Sequence, residues 1–177
     1  MNIAIIGSRE PSASQVSIMR DVITTILELN GEHQIITGGA TGIDNLALSI
    51  CKTRGEMKRL HLYLPWRKFV KYHDSTGANI TVFNPEEHQQ WIDLTNEYHP
   101  APQFLTRTTR PLHARNAGII LHADVVIAAP STKQGGGGTG QGIRLAEGLN
   151  KPYFVLQPEM PRESDLVDRI LKVVGII

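Results

Sequence analysis

Residues 135–142 read GGGGTGQG, six glycines interrupted only by Thr139 and Gln141. Backbone N–H groups in such a run can converge on an anion when a strand leads into it and a helix leads out. The flanks meet that condition. ADVVIAAP (123–130) is a continuous apolar run of strand length, and IRLAEGLNKP (143–152) has helical spacing followed by a stop. Gly136, Gly137 and Gly138 are therefore expected to cradle a phosphate, with Thr139 capping the following helix. A turn that needs glycine only for its own shape is the rival reading.

Four other stretches carry groups that could serve a ligand. GSRE (7–10) offers a tight exit at Gly7, a hydroxyl at Ser8 and, at Arg9, a fork for phosphate or carboxylate. TGGATGID (37–44) is a second glycine turn, in which Gly38, Gly39, Ala40 and Gly42 allow close backbone approach. Its Asp44 either caps a helix or accepts hydrogen bonds from a sugar. HARN (113–116) supplies Arg115 and Asn116, and Trp66 after Pro65 presents a ring that could stack on a base or cover the core.

The elements that must position these groups alternate. NIAII (2–6), QIIT (34–37), MKRLHLYLP (57–65), residues 123–129 and YFVL (153–156) read as strands. Helices are expected between them. One carries Val16, Met19, Ile23, Ile26 and Leu27. The next starts at the capping-box spacing of Thr41 and Asp44 and carries Leu46, Ala47 and Ile50. Others run from Pro111 to Leu121, from the glycine turn to Asn150, and from about Ser164 to Val174. Residues 66–110 read as an irregular excursion holding one helix after Asn84 and Pro85. The pattern predicts an α/β fold, a Rossmann-like three-layer sandwich on a mostly parallel sheet, with residues 1–177 as one domain. Ligands in such folds sit beyond the carboxyl ends of the strands, which picks out Gly7–Arg9, Gly38–Asp44, Pro65 with Trp66, and Gly135–Thr139.

Composition excludes several classes. A net charge of +1 implies no global attraction to nucleic acid or membrane, and no apolar run is long enough for a membrane span. A single cysteine, Cys51, fits a reducing, cytoplasmic setting without disulfides. The seven histidines form no zinc motif, so no metal is expected. The glycine run lacks the Lys-Ser/Thr of a Walker A loop, and GSRE is not a dinucleotide fingerprint. No catalytic residue is assigned.

IIGSRE, ITGGATGIDNLA, LPW, ARNAGIILHADVVIAAP and GGGTGQGIRLAEGLNKP, in this order, resemble the SLOG superfamily, which includes the DNA-processing Smf/DprA proteins and the LOG cytokinin-activating enzymes. The likeness is nearest to the YspA/YpsA-related branch. It implies a Rossmann-like fold, a nucleotide pocket and ligand roles for Arg9, Arg115 and Asn116. The expected partner is a small phosphorylated nucleoside derivative related to NAD or ADP-ribose, bound by a sensor or sequestering module that requires no cofactor. The resemblance, with the apolar run at Leu112–Leu121, also points to a homodimer or tetramer. The alternative is LOG-type N-glycosidic hydrolysis, but Gly142 stands where those enzymes carry an acid, and Glu147 lies five residues further on. Single-stranded nucleic-acid binding of the DprA type ranks last, because the chain shows no basic stripe.

Overall fold

The computed structural model of the protein describes residues 1–29, 31–132 and 136–177; Gly135, the first residue of the glycine run, lies outside the described residues. Strands β1 (Asn2–Gly7), β2 (Gln34–Thr37), β3 (Leu60–Leu64), β4 (Asn79–Val82), β5 (Val125–Ala129) and β6 (Tyr153–Val155) form one parallel sheet in the order β4-β3-β2-β1-β5-β6. Helices are α1 (Ala13–Leu29), α2 (Ile43–Thr53), α3 (Tyr72–Ser75), α4 (Gln89–Tyr98), α5 (Arg110–His122), α6 (Gly137–Gly148) and α7 (Leu166–Val173).

Alternation along each strand divides the core. On β1, Ile3 and Ile5 pack toward α1, α2 and α7, while Ala4 and Ile6 pack toward α4, α5 and α6. The central strands have little solvent contact on either face, which is why VVIAA on β5 is apolar without interruption. The result is the expected three-layer Rossmann-like sandwich. The strand order reverses between β1 and β5, and the crevice at their carboxyl ends is where such sheets bind ligands.

Several boundaries differ from expectation. Met57–Arg59, read as the start of a strand, is a 3-10 turn. Arg59 there donates to the carbonyls of His33, Leu27 and Ile26, which fixes the turn against the end of α1. Residues 66–110 hold more than one helix. They include α3, α4, a 3-10 turn at Pro102–Phe104, and β4, which pairs in parallel with β3 and forms a sheet edge. The residues of β4 are exposed or half-buried, so no long apolar run marked it as a strand. Helix α6 begins inside the glycine run, at Gly137, with Gly136 as its N-cap; Thr139 therefore sits within the first turn and does not cap it. Gly42 likewise caps α2, and no side-chain capping bond from Thr41 forms. Among the described residues no helix is long and apolar enough to cross a membrane.

Candidate functional site

A cavity of about 510 Å³ opens at the β1/β5 crevice. Its walls come from the exit of β1 (Gly7, Ser8, Arg9), from Ala40 and Asp44, from the cavity-facing side of α5, and from the start of α6. Ile6, Ile120 and Gly142, on the sheet and its covering helices, give the cavity an apolar part. Each exit has a local cause. Ser8 N–H donates to the carbonyl of Ala129 at 2.8 Å, and the Ser8 hydroxyl accepts from Glu10 N–H at 2.9 Å, so β1 turns sharply and presents Arg9. Gln15 donates to the carbonyls of Pro130 and Leu156, both at 2.8 Å, which ties the exits of β5 and β6 to α1.

Arg115 and Asp44 form the buried part of the wall. Arg115 Nη1 lies 3.6 Å from Asp44 Oδ2, and the residues are 5 % and 4 % exposed. Burial pushes the Asp44 carboxyl above the usual carboxylate range; the Arg115 charge and the amides of Ala40, Gly38 and Gly7 oppose this. Burial also lowers Arg115 from its ordinary value, with Asp44 opposing, but a guanidinium keeps its proton in proteins. Arg115 Nε has no hydrogen-bond partner among the described residues.

The glycines divide by what surrounds them. A Cβ on Gly38 would fall on the Arg115 guanidinium, one on Gly42 on the Ser8 carbonyl, and one on Gly7 on Ile43. One on Gly138 would crowd Asn116, whose Nδ2 donates to the Gly138 carbonyl at 3.4 Å. Here the chain's own atoms demand glycine. Gly136 and Gly137 face open space, although Gly137 has a φ of +62°. A Cβ on Gly142, at the position of the LOG acid, would meet the terminal methyl of Ile6 at 2.5 Å, so Ile6 would have to shift to admit a side chain.

Of the residues singled out in the sequence, Gly7, Ser8, Arg9, Ala40, Asp44, Arg115, Asn116, Gly136, Gly137, Gly138 and Thr139 line the cavity. Gly38, Gly39, Gly42 and Trp66 do not. Trp66 stands nearby, 42 % exposed, with its ring edge-on to Phe69 at 5.2 Å; Phe69 in turn lies 5.6 Å under the Arg115 guanidinium. Thr109, Leu112, His113 and Ser131 also line the cavity and were not anticipated. The signal for most of them was present: Thr109, Leu112, His113, Asn116 and Ile120 follow one helical stripe.

His113 is held by Gln141 of α6. The buried Gln141 amide donates from Nε2 to the His113 carbonyl at 3.3 Å, and its Oε1 lies 2.6 Å from His113 Nδ1. With the amide nitrogen engaged as a donor, Oε1 accepts, and His113 carries its proton on Nδ1. Burial lowers its pKa, so the ring is neutral near pH 7.

A family model described as DNA recombination-mediator protein A matches residues 1–58, which hold both GSRE and TGGATGID. The likeness is to DNA processing protein A. The protein of that name from Helicobacter pylori, characterised for its single-stranded DNA binding mode, is 23% identical, with a TM-score of 0.62 over 97% of this chain and 72% of that one. DprA from Streptococcus pneumoniae is 20% identical, with a TM-score of 0.59 over 99% of this chain and 54% of that one. No curated protein matches.

These similarities support the SLOG resemblance at the level of its DprA/Smf members and do not confirm the YspA/YpsA-related branch. They overturn the expectation of a free NAD- or ADP-ribose-like ligand, and with it the expectation that nucleic acid is not a partner. The net charge misled because a sum over the chain says nothing of where individual basic residues lie. Arg9, Arg67, Lys68 and Lys71 follow the carboxyl ends of β1 and β3, while the acidic residues are spread over both ends of the strands, with Glu10, Glu86 and Glu87 at the carboxyl ends and Glu28, Glu56 and Asp124 at the amino ends. A local basic edge is compatible with a net charge of +1.

Proposed function

We propose that this chain binds single-stranded DNA along the carboxyl edge of its sheet, from the Trp66 loop into the β1/β5 cavity. The observation that carries the reading is the likeness to DNA processing protein A, which spans 97% of this chain. The chemistry of the edge supports it. Exposed Arg9, Arg67, Lys68 and Lys71 are suited to phosphates, and the exposed Trp66 is a platform for a base. Trp66 connects through Phe69 to Arg115, so a base stacked on the indole would lie beside a strand entering the cavity. In this role Arg9, Asn116 and the amides at Gly136–Thr139 contact the backbone, while Arg115 and Asp44 hold the wall in shape.

The test is fluorescence anisotropy with a labelled single-stranded oligonucleotide over a salt series. Binding should weaken steeply as salt rises, because phosphate contacts release counterions. Trp66→Ala should cost about 1–3 kcal/mol of affinity, the worth of one stacked base. Absence of binding at low salt would overturn the reading.

A further inference from the structure

We propose that the cavity receives one base of the bound strand, edge first, and that His113 selects a base carrying an exocyclic amino group. The inference rests on the single-stranded DNA reading and gives that site a base preference. It starts from the make-up of the cavity. A phosphate-only site has no use for an apolar wall, yet Ile6, Leu112 and Ile120 face this one. Apolar walls with a few fixed polar groups suit a planar heterocycle.

His113 is one of those polar groups, and its state is set by the protein. Gln141 commits its own Nε2 to the His113 carbonyl and therefore takes the proton of His113 Nδ1 on Oε1. Gln141 is fully buried, which restrains the amide from reversing. His113 Nε2 is left as an acceptor with no hydrogen bond to another described residue, and the ring packs edge-on to His99 at 4.6 Å. An acceptor fixed in a half-buried wall favours an amino N–H and disfavours a carbonyl oxygen, because two facing acceptors leave both unsatisfied. Cytosine presents an amino group where uracil presents a carbonyl, so the two bases differ in the feature His113 would read.

The experiment compares oligodeoxycytidylate and oligodeoxyuridylate of equal length by anisotropy at neutral pH, with wild type, His113→Ala and His113→Gln. The wild type should bind the cytosine strand severalfold more tightly. His113→Ala should bind both strands alike, while His113→Gln, which can still offer an oxygen acceptor, should keep part of the preference. Melting curves of each variant identify any loss of fold, and Trp66→Ala should weaken both strands without changing their ratio. Equal binding of the two strands by wild type, or a preference that persists in a folded His113→Ala, would overturn the inference and leave single-stranded DNA binding intact. Failure to bind either strand would remove the DNA reading itself.

Discussion

The guanidinium of Arg115 on α5 stands 3.6 Å from the carboxylate of Asp44 on α2, across the strand ends of the sheet, and both side chains are buried. The pair joins one helical layer to the other at the cavity wall. Arg115→Ala leaves Asp44 as a buried carboxylate without its counter-charge, so a loss of about 3–5 kcal/mol of stability is expected without any ligand. This differs from the behaviour of an arginine that serves only to bind a phosphate. Urea unfolding of the ligand-free variant checks it; a loss below about 1 kcal/mol would return Arg115 to a ligand role alone.

Arg9 provides the contrast. It is exposed at the cavity rim and forms no ion pair with another described residue. Arg9→Ala should melt like the wild type. Oligonucleotide affinity should fall, and the slope of log affinity against log salt should become shallower by about 1, as for the loss of one phosphate contact. An unchanged slope would remove Arg9 from the DNA path.

The glycines are expected to separate into groups. Gly38→Ala should mimic Arg115→Ala in unfolding experiments, because its methyl would occupy the guanidinium's place. Gly137→Ala should cost about 1 kcal/mol, since its φ of +62° disfavours a side chain although the space is open. Gly136→Ala, with a φ of −79° and open surroundings, should be nearly silent in stability. If it nonetheless lowers oligonucleotide affinity, close approach of the strand is the reason for that glycine.

Acid should destabilise the fold through its half-buried histidines. Burial lowers the pKa of His33, His61 and His113 below the ordinary value. Between the folded and unfolded values the unfolded chain binds more protons, so stability rises with pH through that window. The full contribution should be present above about pH 6.5 and fall away as pH drops below it. Melting temperatures measured from pH 7.5 down to about pH 5 test this, and His113→Gln should reduce the dependence.

The layers were readable in the chain because burial imposes a period on residue type. The continuous apolar run Ile3–Ile6 and the helical spacing of Met19, Ile23, Ile26 and Leu27 follow from which side chains must leave water, whereas Val16, read with that spacing, is only half-buried and Ile18 and Val22 complete the buried face. β4 escaped that logic because an edge strand has little to bury. The start of α6 escaped it too: helix propensity argues against Gly138, Gly140 and Gly142, yet close packing against Asn116 and Ile6 favours glycine at two of these positions.

The sequence by itself determined that four turns rich in glycine, hydroxyl or charge would meet at one end of a parallel sheet, because strand–turn–helix order leaves them no other end. It did not determine what each residue does there. Tertiary structure turned Gly38 into the space for a guanidinium, Asp44 and Arg115 into a buried pair, and Gln141 into the partner that sets the proton on His113. These roles depend on distances between residues far apart in the chain. Tertiary structure also set the distribution of a net charge of +1. A sum over residues carries no positions, whereas the field a DNA strand meets depends on which charges share an edge.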